Sequence, residues 1–157
     1  MVDPNGPACV CGLTGCWERY ASGAGLAYLG RRAIAQNRLA TLLAEVGGDP
    51  QELRGEHLTR AARLGEPDAL DVLDQFAWWV AVGVANCAAL TDPEMVIVGG
   101  GLVRDWDLFG PRVSAHLSRV LLGAGHRPAL RCEPAVAGES AGALGAALLA
   151  AAETGVA

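Results

Sequence analysis

"TDPEMVIVGGGLV", residues 91–103, is where the periodicity of the chain changes and where its fold is decided. Asp92 and Pro93 stop a helix, because proline brings no backbone N–H and cannot continue the ladder. Met95 to Val98 then form a short, fully apolar run that reads as a strand. Gly99, Gly100 and Gly101 follow at once. A strand feeding a glycine turn is an α/β signature.

Upstream, Pro67 opens a long helix that runs to about Leu90. Leu73, Phe76, Ala77, Val80, Val84 and Cys87 recur at helical spacing and predict its core face. "GEHLTRAARLGEP" gives a shorter helix closed by Gly65, and "VGGDPQE", residues 46–52, is a loop. Trp17 to about Asn37 reads as helical with a break at "SGAG". Downstream, a helix spans roughly Asp107 to Leu122, entered through Pro111, and "PALRCEPAV" is a second strand. The last helix, "ESAGALGAALLAAAE", carries Gly142 and Gly145 three apart, which permits close backbone packing. There is no internal repeat and no domain linker. Two strands make no independent sheet, so either further strands escape this pattern or part of the sheet lies outside these residues.

The 157 residues suit one domain, and 52% of them are apolar. No charged segment followed by an apolar stretch opens the chain, and no uninterrupted apolar run reaches the roughly 18 residues of a membrane span. A soluble cytoplasmic protein without membrane contact is expected. The formal charge is −5, and all 12 basic residues are arginines. With no lysine, the phosphate-gripping lysine of a P-loop and Schiff-base chemistry are excluded. The scattered arginines form no basic run for a nucleic-acid backbone, so no nucleic-acid contact is expected. Trp78 and Trp79 cannot share one helix face, so either one lies at an interface or both are partly buried.

"CVCGLTGCWE", residues 9–18, concentrates three of the five cysteines. Without a secretory signal this points to metal binding or free thiols rather than a disulfide framework. Cys87 and Cys132 read as small core residues. In an extended segment Cys9 and Cys11 point the same way, and Gly12 and Gly15 let the backbone return Cys16. Three thiolates make three corners of a tetrahedral zinc site, which wants a fourth ligand. His57, His116, His126, Cys87 and Cys132 are candidates, none with telling spacing. Spacing alone leaves zinc and three reduced thiols in a tight turn both open.

The string Cys9-x-Cys11-Gly12-x-x-Gly15-Cys16-x-Glu18 resembles the CxCGxxGCxE motif of the ROK family (repressors, open reading frames and kinases) at every fixed position. "CWERYASG" extends the likeness toward bacterial ROK glucokinases. "ANCAALTDPEMVIVGGGLV" is similar to the family's nucleotide-side segment, and "GALGAALLA" to its terminal helix. The resemblance implies a helix-rich α/β fold, the C-terminal lobe of an actin-like ATPase (ribonuclease H-like), with residues 1–157 as one lobe and the N-terminal lobe absent. It implies a zinc loop over residues 1–18, with Cys9, Cys11 and Cys16 on a structural zinc and Glu18 on the hydroxyls of a hexose such as glucose. Residues 95–103 become the strand and loop of the nucleotide side, with Gly99, Gly100 and Gly101 beside ATP. Mg²⁺ would accompany the nucleotide, and a homodimer is expected. Read without the resemblance, Glu18 is an ordinary first-turn helix acid and the glycines an ordinary turn. Neither GxGxxG nor GxxxxGK[ST] is present.

Family features are also missing. No ExGH segment, whose histidine is the family's fourth zinc ligand, precedes the cysteine loop. No DxGxT phosphate loop and no Asn-Asp pair with a general base occur. Asp92, Asp105 and Asp107 match no such motif. No catalytic residue is therefore assigned in this chain, and it is expected to be inactive alone. Two other readings stand beside the sugar kinase lobe: the effector-binding half of a ROK transcriptional repressor, and a stand-alone zinc-stabilised interaction module.

Overall fold

The computed structural model describes residues 1–154. Six α-helices and two strands follow in order: α1 (Gly23–Ala35), α2 (Ala40–Glu45), α3 (Gly55–Arg63), α4 (Pro67–Thr91), β1 (Met95–Val98), α5 (Trp106–Val120), β2 (Arg131–Pro134) and α6 (Ala141–Thr154). Helix α4 is the axis of the molecule. Pro67 stands at its N-terminus, where a missing N–H costs nothing, and Asp92 ends it in a left-handed conformation (φ 43°).

By length and composition α4 could cross a membrane, but 56% of its most apolar window is buried inside this fold. Val72, Leu73, Phe76, Ala77, Val80 and Ala81 meet Leu26 and Leu29 of α1, Leu58 of α3, and Phe109, Val113 and Leu117 of α5 in one core. Phe76 and Phe109 pack edge to face at 5.2 Å. The stripe drifts from the expected one at its end. Ala85 and Ala88 continue it, while Cys87 is exposed, so the core reading of Cys87 is corrected and that of buried Cys132 holds. The turn from Val84 to Ala88 brings position 88, not 87, back to the core side.

Trp17–Arg19 form a single 3₁₀ turn rather than the start of a continuous helix. The interruption has a local cause: the Ser22 hydroxyl accepts the Gly25 N–H at 3.1 Å, and α1 begins after it. Helix α2 had no sequence signal. It is held from outside, by Arg38 on Asp68 (2.6 Å) and Asp71 (2.8 Å) and by the Leu39 N–H on Asp68 (3.2 Å). Pro111 lies inside α5 rather than at its entry, because the helix is entered from a 3₁₀ turn, Gly101–Asp105.

Strands β1 and β2 pair in parallel, Met95 with Arg131 through Val98 with Pro134, with α5 as the crossover. They are the whole sheet among the described residues. One face, Val96, Val98 and Cys132, lies on the core, while Met95 and Ile97 on the other are 42% and 54% exposed. Parallel sheets are ordinarily covered on both faces. Helix α6 is similarly bare, with Leu148 and Leu149 62% and 70% exposed. Its glycines are open as well, since among the described residues a Cβ at Gly142 or Gly145 would meet nothing within 4 Å. Trp79 is half-buried and Trp78 borders solvent, edge-on to His116 at 5.5 Å.

Candidate functional site

The cysteine loop is a closed backbone device. Ala8 and Thr14 bridge antiparallel, the Cys9 N–H donates to the Leu13 carbonyl (2.8 Å) and the Gly15 N–H to that of Pro7 (2.8 Å). Gly15 takes φ 56°, and a Cβ there would lie 1.6 Å from the Asp3 carbonyl oxygen, so no other residue fits. Asp3 in turn accepts from the Tyr20 hydroxyl (2.6 Å), and Tyr20 stacks on Trp79 of α4 at 4.2 Å. Trp17 donates its indole N–H to the Trp79 carbonyl (2.7 Å), its ring against Gly83, where a Cβ would come within 1.9 Å. Two aromatics thus moor the loop to the central helix.

The Sγ atoms of Cys9, Cys11 and Cys16 lie within 4.8 Å of one another, and those of Cys11 and Cys16 are 3.4 Å apart. Tetrahedral zinc with Zn–S bonds of about 2.3 Å would space its sulfurs at about 3.8 Å. The three thiols fit three corners of such a site. No fourth histidine, cysteine or carboxylate joins the group among the described residues. The Leu13 N–H, with the Cys16 and Cys9 thiols, holds the Cys11 thiol below its usual pKa. Hydrogen bonding to Cys11 and then to Cys9 pushes Cys16 up to about 11. Three sulfurs gathered this closely offer soft donors to a cation.

Glu18 follows on the 3₁₀ turn, exposed and without a hydrogen-bonded partner among the described residues. Its neighbour Trp17 lines an apolar cavity of about 410 Å³ together with Gly99, Gly100 and Gly101, so the fold brings the exit of the cysteine loop close to the glycine loop. That cavity is closed below by Phe76, Val80, Val84 and Phe109. Its lining is mostly apolar, with Ser22 and the glycine backbone as its polar groups and no charged side chain.

The glycine loop has a second, polar side. A cavity of about 650 Å³ runs from Gly101 and Leu102 to the first turns of α1 and α3, with Arg31, Arg54 and Arg104 in its walls. Gly100 takes φ 101°, and neither it nor Gly99 has an atom within 4 Å of where a Cβ would stand. The walls are braced. Arg31 donates to the Leu53 carbonyl (3.3 Å). Arg63 of α3 grips Asp107 with both terminal nitrogens (2.7 and 2.8 Å) and Asp105 with one (2.9 Å), fixing the segment after the glycines. That contact keeps Asp107 below the usual carboxylate range. Asp92 is likewise engaged, with Arg127 at 2.8 Å. None of the three aspartates is a free base. The arginines of this cavity were missed in the sequence because they come from three separated segments. The one hint was Arg104, three residues past the last glycine.

Residues 1–153 match the ROK family profile. The chain belongs to the ROK family. A glucokinase of Streptomyces coelicolor is 42% identical over 149 residues, 94% of this chain and 47% of its own length. The crystal structure of a ROK family glucokinase from Streptomyces griseus, in complex with glucose and AMPPNP, superimposes with a TM-score of 0.84 at 39% identity, covering 94% of this chain and 48% of that one. A ROK family transcriptional regulator, homologous to the E. coli MLC protein, matches at a TM-score of 0.66 and 27% identity over 85% of this chain and 32% of its own. The chain spans about half the length of the relatives it matches. Its helix-rich α/β architecture is that of ROK glucokinases, an actin-like sugar kinase fold, as the cysteine and glycine motifs implied.

Proposed function

We propose that this chain is the C-terminal lobe of a cytoplasmic ROK sugar kinase, one that transfers the γ-phosphoryl group of ATP to glucose or a related hexose. The observation that carries this reading is the polar cavity beside Gly101, at the end of the glycine loop, large enough for a nucleoside and walled by three arginines. In this reading the side-chain-free loop lets the nucleotide come against the backbone, and the guanidinium groups face its phosphates, accompanied by Mg²⁺. Glu18 accepts hydrogen bonds from two sugar hydroxyls, which fixes the orientation of the acceptor. Cys9, Cys11 and Cys16 would hold a structural zinc, whose contribution is to fix the loop from which Glu18 emerges.

The general base and the phosphate loop are not among these residues, so the chain is proposed to bind without turning over. Calorimetry with MgAMPPNP, and separately with glucose, tests this together with a coupled assay. Saturable nucleotide binding without glucose-dependent ADP formation is the expected result. Turnover abolished by Glu18→Ala would overturn the assignment of catalysis to other residues. The likeness to a transcriptional regulator supports a second reading, an effector-binding half. Glucose binding with no nucleotide binding would favour it.

A further inference from the structure

Gly83 is buried in the interior of α4, where glycine is a poorer helix former than alanine. What it makes room for is Trp17. A Cβ at position 83 would stand 1.9 Å from Cε2 of that indole and 2.3 Å from its Cζ2 and Nε1. The indole N–H meanwhile donates to the Trp79 carbonyl at 2.7 Å, and Trp79 lies one turn before Gly83 on the helix. The ring is therefore seated on that turn, tethered at its nitrogen and admitted by the missing side chain. Tyr20 meets the same residue from the other end of the 3₁₀ turn. It is 1% exposed, stacks on the Trp79 ring at 4.2 Å, and its N–H donates to the Trp17 carbonyl at 3.0 Å. Side chains three apart in a 3₁₀ turn lie over one another. Trp17 and Tyr20 thus face α4 together, and Glu18, between them, is turned out to solvent.

Resting on the reading that Glu18 binds sugar hydroxyls, we infer that Trp17 and Gly83 are positioning residues for that carboxylate, a ring and its seat that fix the turn on which Glu18 stands. A carboxylate that accepts from two hydroxyls at once must hold its place to a fraction of an ångström. A three-residue turn at the surface has no such rigidity of its own. Tyr20 pins one end of it. The cysteine loop feeds the other, the Cys16 carbonyl accepting the Arg19 N–H at 3.0 Å, and the seated indole stops that end from pivoting about Tyr20. Neither Trp17 nor Gly83 lines the arginine-walled cavity. The seat therefore serves the sugar side of the molecule, and filling it should be felt there first.

The test is calorimetry of the full chain with glucose and, separately, with MgAMPPNP, in Gly83→Ala, Trp17→Phe, Glu18→Gln and the double variant Gly83→Ala/Glu18→Gln. Gly83→Ala fills the seat from the helix side and is expected to weaken glucose by about tenfold, the scale of one misplaced charge-assisted hydrogen bond, while MgAMPPNP changes by less than about twofold. Trp17→Phe loses the tether to Trp79 and adds no atoms, so it serves where Gly83→Ala fails to fold; it should weaken glucose by about threefold. In the double variant the seat should no longer matter, and glucose should bind as it does to Glu18→Gln alone. Glucose affinity unchanged in Gly83→Ala and Trp17→Phe, with Glu18→Gln still weakening it, overturns the inference and leaves the sugar reading standing. Additive losses in the double variant also overturn it, since the seat would then act on something other than Glu18. Equal loss of glucose and MgAMPPNP overturns it too, because filling the seat would then disturb the whole chain. If the parent binds no glucose, or Glu18→Gln binds it as the parent does, the sugar reading falls and the inference with it.

Discussion

The helical layer and the strand side of this molecule are built to different standards of closure. Around α4, the side chains of Val72, Leu73, Ala77 and Val113 are wholly buried, and Phe76 and Phe109 nearly so. On the strand side, Met95, Ile97, Leu144, Leu148 and Leu149 present apolar surface to solvent. The helical layer closes on itself, whereas the sheet is covered on one face only. Parallel sheets are ordinarily covered on both faces, and contiguous apolar surface of this kind commonly marks a contact region. The glycine loop lies at the border between the two, its apolar cavity opening under the bare strand and its polar one among the helices.

The sharpest way to break this contrast is to cut into the helical layer. Phe76→Ala removes a ring that is 2% exposed and pairs with Phe109, and should destabilise the chain by about 3–5 kcal/mol in urea melts. A loss under 1 kcal/mol would mean that the layer is loosely packed and owes its order to something else. On the other side, Ile97→Ser and Leu148→Ser should change stability by no more than about 0.5 kcal/mol, because each side chain already faces water. If this surface joins copies of the chain, both should lower self-association measured by light scattering, and unchanged association would place the contact elsewhere. If Ile97→Ser proves as damaging as Phe76→Ala, the strand face is covered and the contrast collapses.

The same contrast explains what the sequence could disclose. The apolar stripe of α4 and the run from Met95 to Val98 were legible because burial imposes a period on composition. The stripe failed only at Cys87, where the helix had drifted past the core, and the strand proved half open because alternation cannot be seen in a run that is apolar throughout. Helix α2 was invisible, since its six residues are set by Arg38 and Leu39 reaching to Asp68 and not by any pattern of their own. The candidate site divides likewise. The cysteine motif is contiguous and was read directly; Arg31, Arg54 and Arg104 converge only through tertiary folding, and local pattern has no access to that. Gly142 and Gly145 leave a surface open to close packing that no neighbour among the described residues fills.

The smallest effect expected is on pH dependence, and it should fall on the helical layer and its N-terminal mooring. Hydrogen bonds from Arg38 and the Leu39 N–H hold Asp68 below its ordinary value of 3.8, and the Tyr20 hydroxyl with the Asn5 N–H does the same for Asp3. A carboxyl whose folded pKa is depressed contributes stability above its unfolded pKa and loses it as pH falls through the folded one. Both contributions are therefore complete at neutral pH and decline below about pH 4. Because these groups meet solvent, screening keeps each contribution small. Asp68→Asn should lower the urea midpoint slightly at pH 7 and flatten its fall between pH 4 and pH 2, while Ile97→Ser should shift neither slope. An acid limb identical in Asp68→Asn and the parent would mean that Arg38 anchors α2 without lending the fold its charge. The tie between α2 and α4 would then be one of shape, made by buried Leu39 and Leu42.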